Sequence, residues 1–333
     1  MGAKTSLATG DALTRKLWHK DLYNDTMKEL FWVNLMGNDM DSVVSVKEDL
    51  TKEQGDNITF GLMARSSAPV KGSGEALEGN EDSLERASFS LSMKEQAFAI
   101  RDKGPLDRQR AVFSIDDETK RAIVVQGAEH LDKECFDALQ LSPTKTVYGG
   151  TATAYANVTA TDLVTTAVLS KIKAGAKTGY NRAQTPIRPF RIDGKKYFGT
   201  VLHPDAMYDL KQDSSFQQAR REALERSREN PIWNDVYAIW DGIAIFEHEN
   251  VTIANDAGAG ANISIAKNIF FGAQALCFGW AKHPEIVSEN FDYGREHGHS
   301  WQAVYNVAKP TLLNSNDYGS ISYVTARTKI ADA

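Results

Sequence analysis

Two segments in the first third of the chain alternate apolar and polar residues with a period of two. They are NITFGLMAR (residues 57–65) and ASFSLSMK (residues 87–94). A period of two is typical of β-strands that bury one face. The apolar positions that share one side are Ile58, Phe60, Leu62, Ala87, Phe89, Leu91 and Met93. The pattern predicts a long antiparallel hairpin with one apolar face.

The segment between these two strands is long and polar. PVKGSGEALEGNEDSLE (residues 69–85) contains three glycines and five acidic residues. Hairpin loops ordinarily have ~2 to 5 residues, and an isolated hairpin is only marginally stable in water. A tip of this length requires either disorder or a partner on which it lies. We interpret it as an indication of neighbouring molecules.

The longest predicted helix follows the hairpin. Ser114 is a suitable N-cap, and apolar residues return at helical intervals until Pro143. These apolar residues are Ile115, Ala122, Ile123, Leu131, Cys135, Phe136 and Leu139. An unbroken helix over 115–139 is roughly 37 Å long at 1.5 Å per residue. Gly127 disfavours a helix by ~1 kcal/mol relative to Ala, so a bend is compatible with the pattern there.

Two further helices are predicted outside this region. Apolar residues at helical spacing up to Phe31 predict helical content in an N-terminal arm. A cap formed by Thr159 and Asp162 predicts the start of another helix, which ends at Gly175 or Gly179. The small-residue segment before this cap predicts the start of a second domain.

The rest of the chain predicts a mixture of strands and helices. RPFRIDGKKYFGTVLHPDAMYDL predicts two strands around a turn and then a helix that begins at Pro204. SSFQQARREALERSRENP predicts a charged helix that ends before Pro231. AIWDGIAIF predicts a tight hairpin around Asp241-Gly242. HSWQAVYNVAK and YGSISYVTART predict closing strands, so the fold class is α+β.

Composition and charge narrow the classes of function. With 42% hydrophobic and 25% charged residues, the 333-residue chain is a globular protein of one large or two moderate domains. The net charge of −6, from 38 basic and 44 acidic residues, excludes a dedicated binder of nucleic-acid phosphates. IFFGAQALCFGWA is too short for the ~20 residues of a membrane helix, and no signal peptide is expected.

Two cysteines give no metal or disulfide framework. Cys135 and Cys277 are too few for a disulfide scaffold or a Cys-based zinc site. Both lie among apolar residues, which predicts buried thiols in a reducing compartment.

Three histidines are the candidate metal ligands. His248 lies between Glu247 and Glu249, and His297 and His299 lie in REHGHSW. At strand spacing, positions 297 and 299 face the same side and could hold a metal with a third ligand. No third ligand is identifiable by spacing, which favours ordinary surface histidines.

No other motif predicts catalysis or a cofactor. The sequence has no dinucleotide-binding fingerprint, no Walker lysine and no nucleophile elbow. Arg108 and Arg110 could grip a carboxylate or a phosphate, but the acids at 116–118 favour structural ion pairs. The sequence therefore assigns no catalytic, cofactor-binding or metal-binding residue, and predicts no enzymatic activity.

Several motifs in order resemble one protein family. They are GPLDRQRAVFSIDDETKRAI, AEHLDKECFDAL, TKTVYGG, RPFRIDGKKYFGTVLHPDAMYDL, NPIW, FEHENV and FDYG. LEGNEDSLE in the tip and FFGAQAL before the closing strands agree with them. From Trp32 to Ala326, the chain resembles the major capsid proteins of N4-like tailed bacteriophages. HGHSW (297–301) departs from the family pattern.

The resemblance implies the HK97-like capsid fold. That fold has an N-terminal arm, an extended hairpin called the E-loop, a peripheral P-domain with a long spine helix, and a mixed α/β axial A-domain. The implied division is an arm at 1–54, the E-loop hairpin at 55–102, the P-domain at 103–158, the A-domain at 159–278, and a return to P-domain strands at 279–333.

The resemblance also implies a structural function. The expected protein is a capsid subunit that forms pentamers and hexamers of an icosahedral shell around double-stranded DNA, in the virion and in the host cytoplasm during assembly. The expected partners are other copies of itself, with scaffolding, portal and decoration proteins as further candidates; no membrane and no specific DNA binding are expected. Two alternatives remain, namely an encapsulin-type nanocompartment and a metal-dependent hydrolase that uses His248, His297 and His299.

Overall fold

The structure is a computed structural model of the chain. It describes residues 30–48, 50, 55–63, 86–110, 114–182, 186–192, 194–222, 236, 238–311 and 316–329. The predicted helix before Phe31 and the polar tip at 69–85 lie outside the described residues.

Fifteen strands and five α-helices are present in the described part. The strands are β1 (Met36–Gly37), β2 (Val44–Lys47), β3 (Asn57–Met63), β4 (Arg86–Ser92), β5 (Lys94–Arg101), β6 (Thr146–Tyr148), β7 (Phe190–Ile192), β8 (Lys195–Leu202), β9 (Ala238–Trp240), β10 (Ile243–Glu247), β11 (Ile253–Ala257), β12 (Ile263–Phe271), β13 (Leu276–Phe291), β14 (Glu296–Ala308) and β15 (Ser320–Ala326). The helices are α1 (Pro105–Arg110), α2 (Ile115–Gln140), α3 (Thr166–Arg182), α4 (Pro204–Gln212) and α5 (Ser214–Glu222).

Two larger sheets and one hairpin organise these strands. The first sheet has the order β1-β2-β13-β14-β5, in which β14 is antiparallel to both β13 and β5, whereas β2 is parallel to both β1 and β13. The second sheet has the order β6-β15-β12-β8-β10-β9, with β11 on β12 and β7 on β8. Strands β3 and β4 form a separate two-stranded sheet.

The predicted hairpin is confirmed. β3 and β4 pair antiparallel, with Ile58 opposite Leu91 and Phe60 opposite Phe89. Ile58, Phe60 and Leu91 are buried, whereas their neighbours along the strands, such as Thr59, face solvent. The period of two in the sequence therefore corresponds to one buried and one exposed face.

The long helix α2 is also confirmed. Its N-cap is Ser114, whose Oγ accepts the backbone N–H of Asp117 at 3.4 Å. Acidic residues occupy its first turn, where the positive end of the helix dipole stabilises them. Its apolar side buries Leu131, Cys135 and Phe136 in the main core.

The predicted start of α3 is wrong. Thr159 donates its backbone N–H and its hydroxyl to Oδ2 of Asp162, but these bonds close a separate turn. The helix begins at Thr166, whose backbone N–H and hydroxyl both donate to Oδ2 of Asp213 at 2.8 Å. The stabilising carboxylate comes from a distant segment, which local spacing could not identify.

The predicted strand, turn, strand and helix at 190–212 are confirmed, and α4 begins at Pro204. The hairpin of β9 and β10 is confirmed as well. Its turn residues Asp241 and Gly242 have φ of 45° and 72°, as expected for a tight two-residue turn. The predicted end of α5 before Pro231 lies outside the described residues.

The two closing strands lie in different sheets. β14 pairs with β13 and β5, whereas β15 pairs with β12 and, in parallel, with β6. The division of the chain into domains stays a prediction.

A short buried connection joins the two larger sheets. Residues 272–275 link β12 of one sheet to β13 of the other. Their backbone N–H groups donate to the carbonyls of Gly319, Arg188, Ser42 and Val43 at 2.8 to 2.9 Å. The connection is therefore held by three separate segments of the chain.

Candidate functional site

The base of the hairpin formed by β3 and β4 is anchored on the body of the subunit. Ile58, Phe60 and Leu91 form a buried cluster with Cys277 of β13. Lys47 donates from Nζ to the carbonyl of Thr59 at 2.8 Å. These contacts hold the two strands while their chain continues into the long tip.

A buried carboxylate of α2 accepts hydrogen bonds from the backbone of the N-terminal segment. The backbone N–H of Phe31 lies 3.1 Å from each oxygen of Asp132, which also accepts from Trp32. Burial raises the pKa of Asp132 to about 7, although the two backbone N–H donors act in the opposite direction. Asp132 therefore links the spine-like helix to the first described residues.

His248 is a partly buried residue that packs against this segment. Its ring stacks on Phe136 with centroids 4.6 Å apart and contacts Phe31 at 5.0 Å. Its Nδ1 accepts the backbone N–H of Asn250, and burial lowers its pKa. Among the described residues, His248 thus contacts aromatic side chains and its own turn.

His297 belongs to a different cluster, at the N-terminal end of β14. Its backbone N–H donates to Oδ1 of Asp102 at 2.7 Å, and its Nε2 lies 3.2 Å from Nη1 of Arg108. Because a guanidinium only donates, Nε2 accepts and the imidazole proton lies on Nδ1, which faces Asp116 at 3.4 Å. The histidine bridges α1 and the first turn of α2.

Arg108 supplies the positive charge of this cluster. Its Nε donates to Oδ2 of Asp102 at 2.5 Å, so this arginine makes a structural ion pair as predicted, but with Asp102 and not with the acids at 116–118. Burial by itself raises the pKa of Asp102, but the backbone N–H of His297 and the guanidinium of Arg108 together hold that pKa below its usual value.

His299 lies beside the same cluster. Its Nε2 is 3.6 Å from Oδ1 of Asp116, and its Nδ1 is 2.8 Å from the hydroxyl of Ser288. Burial lowers the pKa of His299. His297 and His299 therefore share Asp116, whereas His248 packs against a different part of α2, so the hydrolase alternative is not supported by the arrangement of these three residues.

A potential third ligand that sequence spacing could not reveal lies beside His297. Ligand atoms of Asp102, Asp116 and His297 lie within 4.8 Å of one another. However, both oxygens of Asp102 already accept hydrogen bonds, and Arg108 lies where a cation would bind. The guanidinium therefore compensates the carboxylates, and the cluster is better suited to hold α1, α2 and β14 together than to bind a metal.

A shallow cleft lies between β5 and α2. Its volume is about 180 Å³, and it is lined by Gln96, Ala97, Phe98, Gln126, His130 and Trp301. Small-molecule sites are usually larger, with ~300–1,000 Å³.

Within the described part of the chain, no helix is both long and apolar enough to span a bilayer.

The described residues thus combine an anchored hairpin, a long helix that contacts strands of both larger sheets, and a charged cluster that joins α1, α2 and β14. The family model for phage capsid protein matches residues 6–134 and 138–327. The chain belongs to this family. A curated relative, the major capsid protein of Pseudomonas phage KPP25, is 25% identical over 365 residues, which cover 94% of this chain and 95% of that protein.

Solved structures show the same fold. The capsid of Ralstonia phage GP4 superimposes with a TM-score of 0.82 at 21% identity, covering 99% of this chain and 100% of that one. The capsid asymmetric unit of cyanophage Pam1 superimposes with a TM-score of 0.74, also at 21% identity, over 89% and 92% of the two chains. The fold is the HK97-like capsid fold, as the motifs predicted, and the chain is a phage capsid protein. The finer assignment to N4-like phages stays a prediction.

Proposed function

We propose that this chain assembles as pentamers and hexamers into an icosahedral shell around a double-stranded DNA genome. The observation that carries the proposal is the hairpin of β3 and β4, which is anchored at its base and leads into the polar segment 64–85. The sequence of this segment is rich in glycine and acidic residues and has few apolar ones, so it offers little apolar side-chain surface for packing on its own subunit. It is stabilised when it lies on a neighbour, as an E-loop does.

The N-terminal segment is proposed to make further contacts between subunits. Residues 30–35 are docked on α2 through Asp132 and on the core through Trp32. The arm that precedes these residues is therefore attached to the body of the subunit at a defined position. We propose that this arm and the E-loop tie neighbouring subunits together.

The mechanism of such a protein is geometric. Subunits that join head to tail form rings when the rotation closes, and open filaments when it does not. The net charge of −6 suits a shell that confines DNA without gripping its phosphates. The subunit would reside in the virion, after assembly in the host cytoplasm with scaffolding, portal and decoration proteins.

Electron microscopy of the purified protein tests shell formation. We expect large, uniform shells or rings in the fast-sedimenting fraction under negative stain. A small soluble species both alone and with the phage's scaffolding protein would contradict the proposal. Shells that contain enzyme cargo and no DNA after expression in an infected host would instead indicate a nanocompartment.

Deletion of residues 69–84 tests the role of the tip. The deletion variant should fold with a native-like melting transition, because the segment lies beyond the anchored base of the hairpin, but it should form no shells. A control variant keeps the length and replaces the same residues with a Gly/Ser linker, which separates the need for the tip's side chains from the need for its length. Normal shells from the deletion variant would overturn this role.

A further inference from the structure

The turn between β13 and β14 presents a fully exposed tyrosine. Tyr293 has a fractional exposure of 106%. The consecutive residues Asp292, Tyr293 and Gly294 all have left-handed φ values, of 47°, 52° and 84°. A non-glycine residue in a sparsely populated conformation costs of order 1–3 kcal/mol and persists only where its surroundings impose it.

Cationic side chains from other elements hold the two ends of this turn. The guanidinium of Arg101 lies over the ring of Phe291 at 4.3 Å and also pairs with Glu296. Arg108 of α1 donates from Nη2 to the carbonyl of Arg295 at 2.5 Å. The turn is therefore braced at both ends, and its backbone is preorganised.

The side chain of Tyr293 is fully exposed, so its own packing does not offset the strain of its backbone. Gly or Asn adopts left-handed φ values at lower cost, so folding alone does not explain a tyrosine at this position. Tyrosine is enriched among the residues that dominate binding energy, since it buries a large area and loses little conformational entropy. A strained, preorganised and exposed tyrosine is the arrangement expected of a binding anchor.

We propose that Tyr293 is an anchor through which one copy of this chain binds a second copy in the assembled shell. The inference rests on the proposed shell assembly. Asp292 and Arg295 form an exposed ion pair at 3.2 Å beside the tyrosine. The turn thus carries one carboxylate and one guanidinium, and identical turns can exchange these charges between copies. Such self-complementarity favours a second copy over an unrelated partner.

Two substitutions at position 293 test the anchor. Tyr293→Ser removes the ring, and Tyr293→Phe keeps it. We expect Tyr293→Ser to raise the subunit concentration at which half of the shells dissociate by at least about tenfold, the effect of one strong interface residue, while the melting transition of the free subunit stays unchanged. Tyr293→Phe should assemble nearly as the wild type does. Tyr208→Ser, at a half-exposed tyrosine of α4, is the matched control.

Cross-linking identifies the contact directly. Both native cysteines are buried, so Tyr293→Cys introduces the accessible thiol. In assembled shells, a short bis-maleimide should join two copies through this thiol, whereas dissociated subunits at the same concentration should give little product. If Tyr293→Cys fails to assemble, mixed shells that contain a minority of the variant are cross-linked instead.

The two proposals fail in different ways. A wild-type chain that forms no shells under any condition contradicts shell assembly itself. Wild-type shells, together with Tyr293→Ser shells that dissociate at the same concentration, overturn only the anchor. Cross-linking at position 293 that is equally low in shells and in free subunits has the same meaning.

Discussion

The indole of Trp301 lies directly against the backbone of Gly127. A Cβ atom added at Gly127 would lie 2.8 Å from Nε1 and 3.2 Å from Cε2 of Trp301. The long helix α2 and strand β14 therefore approach so closely that only a glycine fits between them. A residue that disfavours the helix locally is required by its packing.

We expect Gly127→Ala to destabilise the subunit by about 1–3 kcal/mol. Alanine favours the helix by ~1 kcal/mol, but the buried indole cannot move without straining the core. Urea unfolding of the free subunit measures the difference. The double variant Gly127→Ala with Trp301→Phe should recover part of the loss, because the smaller ring leaves room for the methyl group.

Gly61→Ala is the matched control for this prediction. A Cβ at Gly61 would meet no atom within 4 Å, so the change should be small. If Gly127→Ala is as stable as the wild type, the close approach of α2 to Trp301 is not a constraint on the fold.

The buried carboxyl of Asp132 predicts that the stability of the subunit depends on pH. The folded state holds the Asp132 proton with a pKa of about 7, above the usual value of 3.8, mainly because burial disfavours the carboxylate. Below about pH 4, the protonated carboxyl makes its full contribution to the free energy of unfolding. As the pH rises through about 7 this contribution is lost, and the free energy of unfolding falls by at most about 4 kcal/mol. Asp132→Asn stays neutral, so it should lack this decline and be the more stable protein near pH 8.

Urea unfolding of the wild type and of Asp132→Asn across this pH range measures the difference between the two slopes. Asp132→Ala is the control for the hydrogen bonds. It leaves the N–H of Phe31 without its acceptor and, because it is uncharged like Asp132→Asn, it should be less stable than Asp132→Asn by about 1–3 kcal/mol at every pH. Parallel pH profiles for the wild type and Asp132→Asn would show that Asp132 does not titrate in this way.

The ion pair of Arg108 and Asp102 predicts the opposite pH dependence. The pKa of Asp102 lies below its usual value, so the pair stabilises the fold at neutral pH and its contribution is lost as the pH falls below about 4. Arg108→Gln should cost about 1–3 kcal/mol at neutral pH, because it leaves a buried carboxylate without its cation, and less in acid.

A double-variant cycle with Asp102→Asn measures the coupling between these two side chains in thermal unfolding. Arg295→Gln is the control, since its ion pair with Asp292 is exposed and is worth only ~0–1 kcal/mol. Additive effects of Arg108→Gln and Asp102→Asn would contradict a direct pair.

The elements that sequence alone predicted well carry their own signals. Ser114 caps α2 three residues before its partner Asp117, and Asp241-Gly242 forms a turn from adjacent residues. The β3–β4 hairpin shows its buried face in the alternation of its side chains. In each case, the stabilising contacts lie within a few positions of one another along the chain.

The elements that sequence did not predict depend on distant contacts. Thr166 begins α3 because Asp213, 47 positions later, accepts its N–H. His297 meets the carboxylate of Asp102 across 195 positions, which no spacing rule connects. Tyr293 lies in the motif FDYG, but only the structure shows its strained φ and its full exposure. The charged cluster and the exposed turn could therefore not be predicted from the sequence.

The short connection at 272–275 has a mechanical consequence. It joins β12 to β13 covalently, and its N–H groups bind three other segments, including the carbonyls of Arg188 and Gly319. These hydrogen bonds fix the backbone dihedrals of the connection, so β12 and β13 cannot rotate freely about it. In the proposed shell, we therefore expect the two sheets to move together, so that a change in curvature would come from the contacts between subunits.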